Sequence, residues 1–120
     1  WYWELEGNVG KSYLAKYLLL AHDAIMCSGK SQDIFNQVKV WMDAHEDDED
    51  PTVVIVDVPR CSNDYINYQA IEALKNGCLY SGKYEGGVCM FSSPHVFVFA
   101  NRQPDYDRMS DDRWCVFHIE

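Results

Sequence analysis

What this sequence is short of narrows it considerably. Basic residues are outnumbered, 10 against 19 acidic, for a net charge of −9, which argues against a broad cationic surface for nucleic acid and leaves only local contacts. No apolar run approaches the length needed to cross a bilayer; the longest helical candidate, 17–21, is bounded by Lys16 and His22, so no membrane segment is expected. The five cysteines, Cys27, Cys61, Cys78, Cys89 and Cys115, form no Cys-x-x-Cys pair and have no histidine at metal-ligand spacing. They read as reduced, mostly buried thiols of an intracellular protein, with Cys78 and Cys89 the pair that a hairpin would bring face to face. Internal repeats and low-complexity stretches are absent. The 120-residue chain starts on Trp1 rather than methionine, without a signal-like stretch, and reads as a single domain, 1–120, cut from something longer.

What is present begins with Gly7-Asn8-Val9-Gly10-Lys11-Ser12, preceded by the aromatic run Trp1-Tyr2-Trp3 and followed by Tyr13 and a helical pattern. Glycines allow successive backbone N–H groups to turn around phosphate oxygens, and the next helix offers its positive end. A lysine then reaches the β- and γ-phosphates while a hydroxyl ligates magnesium. Those last roles fall to Lys11 and Ser12. The strict motif asks for a glycine five positions before Gly10, where this chain has Leu5.

Hydrophobic periodicity organises the rest. A strand at 1–5 leads to a helix from Lys11 to His22 with Leu14, Tyr17, Leu18 and Ala21 at helical spacing, and Ala24 to Cys27 forms a second strand. Ile34, Val38, Trp41 and Met42 then mark a second helix. The acidic run 46–50 reads as a solvated loop. Thr52 to Asp57 is a continuous β-branched run suited to a strand buried on both faces. A third helix is expected over Asn63–Asn76, closed by Gly77. Cys78–Ser81 and Val88–Phe91 then flank a glycine-rich hairpin tip, and strands follow at Val96–Ala100 and Trp114–Ile119. This order predicts an α/β, three-layer, mostly parallel sheet.

Two strand ends carry chemistry. Asp57 closes the strongest strand, where a carboxylate can hold magnesium, and Asn101 closes another, where a neutral amide can orient water beside a γ-phosphate. Their bland alternatives are a solvent-facing aspartate and a turn-forming asparagine. Arg113, with Arg108 and Arg102 as competitors, could stabilise charge on a transferred phosphoryl group from a neighbouring subunit, or simply pair with the nearby aspartates.

Taken together, Gly7 to Ser12, Val54-Ile55-Val56-Asp57-Val58-Pro59-Arg60, Asn76-Gly77 through Ser81-Gly82-Lys83-Tyr84-Glu85, Phe99-Ala100-Asn101 with Pro104, and Ser110 to Arg113 resemble the superfamily 3 helicase domain of the replication-associated proteins of small circular single-stranded DNA viruses. Nanoviruses and their alphasatellites look most similar. The resemblance implies an AAA+-like P-loop NTPase with a five-stranded sheet and a β-hairpin inserted before the Asn101 strand. It also implies a hexameric ring that hydrolyses ATP with Mg2+ and moves along single-stranded DNA in the host nucleus. Position by position, it assigns Gly7, Asn8, Val9, Gly10, Lys11, Ser12 and Tyr13 to nucleotide, and Ser12 and Asp57 to metal. Asn101 becomes the sensor and Arg113 acts in trans. Lys83, and more weakly Tyr84 and Lys75, would touch DNA. One departure stands out: Val58-Pro59-Arg60 occupies the place where many superfamily 3 helicases have a second acidic residue, so the general base is left to Asp64, by proximity, or to water oriented by Asn101. A monomeric P-loop kinase and a nucleotide-binding scaffold without turnover are the competing readings.

Overall fold

The computed structural model describes residues 1–5, 10–46, 48–58, 66–81 and 87–119. In chain order the elements are β1 (Tyr2–Trp3), α1 (Lys11–His22), β2 (Ile25–Cys27), α2 (Ser31–Asp43), β3 (Val53–Asp57) and α3 (Tyr68–Asn76), then β4 (Cys78–Ser81), β5 (Gly87–Met90), β6 (His95–Ala100) and β7 (Phe117–His118). Five strands form one sheet in the order β2-β3-β6-β1-β7, with every neighbouring pair parallel. The chain is therefore α/β, and the separate β4–β5 hairpin is its antiparallel element, lying before β6 in sequence.

The β-branched run explains why β3 sits inside the sheet. Side chains alternate across a strand, and Val54 and Val56 enter one apolar cluster with Ile34, Val38, Ile71 and Leu74, while Val53 and Ile55 enter another with Ala15, Leu18 and Phe99. Helix α1 thus covers one face of the sheet, and α2 and α3 cover the other. Both faces are covered at β3, as a central strand of a parallel sheet requires.

Local chemistry sets where elements end. Asn67 caps α3, its side-chain oxygen accepting from the Ala70 N–H at 3.0 Å, so the helix starts at Tyr68 rather than at Asn63, which lies outside the described residues. Gly77 closes it in the left-handed region at φ 81°. Helix α1 also corrects the sequence reading: it buries Ala15 and Leu18, whereas Tyr17 is 54% exposed and Ala21 lies outside the core. The hairpin pairs Leu79 with Cys89 and Cys78 with Met90, so Cys78 and Cys89 do not face each other, and both are free thiols.

An ionic clamp joins the end of α1 to the end of α2. The His45 ring stacks on Trp41 at 3.6 Å, with Nδ1 at 2.7 Å from the Trp41 carbonyl and Nε2 at 2.7 Å from the Asp23 carboxylate. Acceptors at both ring nitrogens favour the doubly protonated form. The Trp41 carbonyl foremost, then Asp23, accordingly raises the His45 pKa above its ordinary value. A raised folded-state pKa gives stability that is complete below the unfolded value and is lost as pH rises through the folded one. Thermal melts should therefore show His45→Gln falling further below the natural chain at about pH 6 than at about pH 9; an equal deficit at both would show that only stacking matters.

Candidate functional site

The carboxyl edge of the sheet gathers the chemistry. Strand register sets Trp3 opposite Ala100 and Asp57 opposite Phe99. Beyond those pairs the Glu4 N–H donates to the Ala100 carbonyl at 3.3 Å, and the Val58 N–H to the Phe99 carbonyl at 2.9 Å. Because β6 lies between β1 and β3, Asn101 emerges between the strand that feeds α1 and the strand that ends in Asp57. Ligand groups in parallel sheets collect at such an edge.

Gly10 makes the join to α1. Its φ of 97° is left-handed, and it caps the helix while its carbonyl accepts from the Leu14 N–H at 3.0 Å. A β-carbon there would meet nothing within 4 Å, so glycine is required by the backbone turn rather than by crowding. The 12-residue helix has no acidic side chain in its first turn, which leaves its positive end available to an anion. Beside it lies a cleft of about 170 Å3 lined by Lys11, Ser12, Ala15, Lys16, Asp57 and Phe99, among others.

Behind the cleft sits a carboxylate that the sequence reading passed over. Glu4 is only 2% exposed and forms an ion pair through Oε1 with the Lys11 ammonium, whose side chain is 15% exposed. The same oxygen accepts from Asn101 Nδ2 at 2.8 Å, and the Glu4 carbonyl lies 3.4 Å from that nitrogen. Asp57 is half-buried; desolvation pushes its pKa up, and the Lys11 charge pulls the other way. Glu4 could have been found by the rule that selected Asp57 and Asn101, a polar residue ending an apolar strand, but reading the strand as 1–5 sets Glu4 inside it, whereas β1 ends at Trp3.

The structure brings Lys11, Ser12 and Asp57 to one cleft and joins Asn101 to it through Glu4. It does not bring Arg113 there. Arg113 sits in the 3-10 turn Asp111–Arg113 with Nη1 donating to Asn76 Oδ1 at 3.0 Å, and lines a separate cavity of about 350 Å3 with Trp1, Lys75 and Trp114. The Lys75 ammonium donates to the Pro94 carbonyl at 2.7 Å, and Tyr13 is 81% exposed on α1. Arg108 lies 5.5 Å from the Tyr68 ring centre, and the Arg102 carbonyl accepts from Trp1 Nε1. Gly7, Asn8, Val9, Asp64, Lys83 and Tyr84 lie outside the described residues.

A parallel α/β sheet with a glycine-lysine-serine turn opening a helix, and a carboxylate at the end of a neighbouring strand, is compatible with a P-loop-like fold. Homologues of the chain are replication proteins of nanoviruses and alphasatellites. It is 37% identical over 120 residues to the Para-Rep C9 of Faba bean necrotic yellows C9 alphasatellite, covering 98% of this chain and 40% of that protein. It is also 37% identical over 114 residues to the master replication proteins of Banana bunchy top virus and of Milk vetch dwarf virus, covering 94% of this chain and 36% of each. The chain thus spans well under half the length of these relatives. No protein-family model and no solved structure matches it.

Proposed function

We propose that this chain is the ATP-hydrolysing motor domain of a viral replication protein, a superfamily 3 helicase unit of AAA+-like architecture that works at the interfaces of a hexameric ring on single-stranded DNA. The observation that carries this reading is the convergence of Lys11, Asp57 and Asn101 on one sheet edge, with the Asn101 strand between the other two. Similarity to master replication proteins supports a place in viral DNA replication, and the host nucleus as the working compartment follows from that reading.

In this reading Gly7 to Tyr13 surround the phosphates, and Lys11 neutralises the β- and γ-oxygens. Among the described residues, no group of three or more histidine, cysteine or acidic side chains could cage a metal ion. The oxygen donors lining the cleft, Ser12 and Asp57, suit Mg2+, which takes few protein ligands and completes its shell with phosphate and water. Bound there, Mg2+ would neutralise charge on the phosphate oxygens. The partly desolvated Asp57 carboxylate has most to gain from a cation. Asn101 orients the attacking water, and Asp64 is the remaining candidate for general base.

Arg113 reaches a phosphoryl group only from another subunit in this scheme, because its own chain holds it in a different cavity. Lys83, with Tyr84 and Lys75 as weaker contributors, touches DNA in the channel; six copies of a few contacts suffice although the chain is acidic overall. The test is steady-state ATP hydrolysis across protein concentration, with and without single-stranded DNA. The rate per subunit should climb with concentration, respond to DNA and collapse in Arg113→Ala. A concentration-independent rate indifferent to Arg113→Ala would mean a self-contained site and would end the ring mechanism.

A further inference from the structure

Glu4 has no role in the scheme above, yet among the described residues it is the buried charged side chain, set behind the cleft and paired with Lys11. We propose that Glu4 is a positioning residue of the nucleotide site: it holds the Lys11 ammonium until phosphate displaces it, and holds the Asn101 amide with its oxygen turned away from Glu4 throughout. The inference rests on the nucleotide reading of Lys11.

The geometry carries both halves. A carboxylate can only accept hydrogen bonds, so contact with Glu4 Oε1 at 2.8 Å fixes Nδ2 as the inward end of the Asn101 amide. The Glu4 carbonyl at 3.4 Å faces the same nitrogen. Asn101 Oδ1 is thereby turned away from the Glu4 carboxylate, as an acceptor for a donor such as water. Asparagine amides flip easily when nothing distinguishes their ends; here a negative charge on one side does so.

The same oxygen pairs with Lys11. Lys11 cannot serve Glu4 and a phosphate equally well, because the pair is nearly dry and the attraction correspondingly strong. An incoming triphosphate must draw the ammonium away from a buried carboxylate, so Glu4 opposes binding. What Glu4 gains for the protein is an ordered Lys11 in the empty site and a fixed Asn101 in both states.

Glu4→Gln separates these effects, since glutamine keeps the shape and an oxygen for Asn101 Nδ2 while removing the charge that competes for Lys11. Equilibrium titration with Mg·ATP should show Glu4→Gln binding on the order of tenfold more tightly than the natural chain. Glu4→Ala, which releases the Asn101 amide, should lose turnover at saturating ATP that Glu4→Gln retains. Unchanged or weaker binding in Glu4→Gln, or equal turnover in the two variants, overturns the proposal. If neither variant folds, the natural chain still decides: the Asn101 side-chain amide protons should resist solvent exchange both with and without ATP, and exchange at the rate of an exposed asparagine overturns the arrangement. The nucleotide reading fails differently, by ATP binding that is absent in the natural chain or indifferent to Lys11→Ala.

Discussion

Lys11→Ala is expected to cut ATP turnover by about 10²- to 10³-fold, the cost of removing a preorganised donor aimed at developing phosphate charge. Lys16 also lines the cleft, but it lies more than a helical turn further along α1 and cannot take over the position at the helix start. The change should act on folding as well. Glu4 is 2% exposed and Lys11 is its ion partner, so removing the ammonium leaves a buried carboxylate short of compensation. Such losses cost about 3–5 kcal/mol for a fully buried pair, and the partial exposure of Lys11 sets this one toward the lower end. Adding Glu4→Gln to Lys11→Ala should restore most of that stability and none of the turnover. Urea unfolding of both single variants and the double variant, alongside phosphate release, measures the two effects separately. Stability additive across the two sites would show that the pair is uncoupled.

Among the described glycines away from the site, Gly77→Ala should be the most damaging change. Gly77 terminates α3 at φ 81°, where an L side chain costs about 1–2 kcal/mol. A β-carbon would also lie 2.0 Å from the Phe91 carbonyl oxygen, a backbone atom. That carbonyl cannot simply retreat, because the Phe91 N–H donates to the Gly77 carbonyl at 2.9 Å and ties the start of the hairpin to its end. Strain and clash together should exceed about 3 kcal/mol and lower the melting temperature by roughly 10 °C. Gly10→Ala is the control: φ there is also positive, but the space is open, so only the strain of about 1–2 kcal/mol should appear. Equal losses at the two positions would mean that the contact between Gly77 and Phe91 is not made.

Much of this architecture was legible in the residues. The β-branched stretch ending at Asp57 and the apolar run ending at Asn101 identify β3 and β6 because a strand covered on both faces has no polar positions to dilute its signal. Gly77 marks the end of α3 for an equally local reason, the αL turn. What could not be read depends on neighbours distant in sequence. In α1, Leu14, Tyr17, Leu18 and Ala21 share a plausible stripe, but the sheet buries Ala15 and Leu18, with Leu14 and Leu19 packed beside them, and leaves Tyr17 and Ala21 exposed; a helix so apolar around its circumference does not declare which side is covered. Cys78 and Cys89 are near in sequence, yet hairpin register pairs each with another residue. Glu4 is the most instructive case. Its importance arises from β6 inserting beside β1, which brings Asn101 to it across 97 residues of sequence, and no local pattern encodes that adjacency.

In the proposed function Gly10, Lys11, Asp57 and Asn101 form one nucleotide site, and titrating ATP with Mg2+ into the isotopically labelled natural chain while following backbone amide resonances tests this most directly. The largest shifts should fall at Gly10 to Ser12, at Asp57 and Val58, and at Asn101. Shifts clustered instead around Trp1, Arg113 and Trp114, or no change with millimolar ATP, would contradict it.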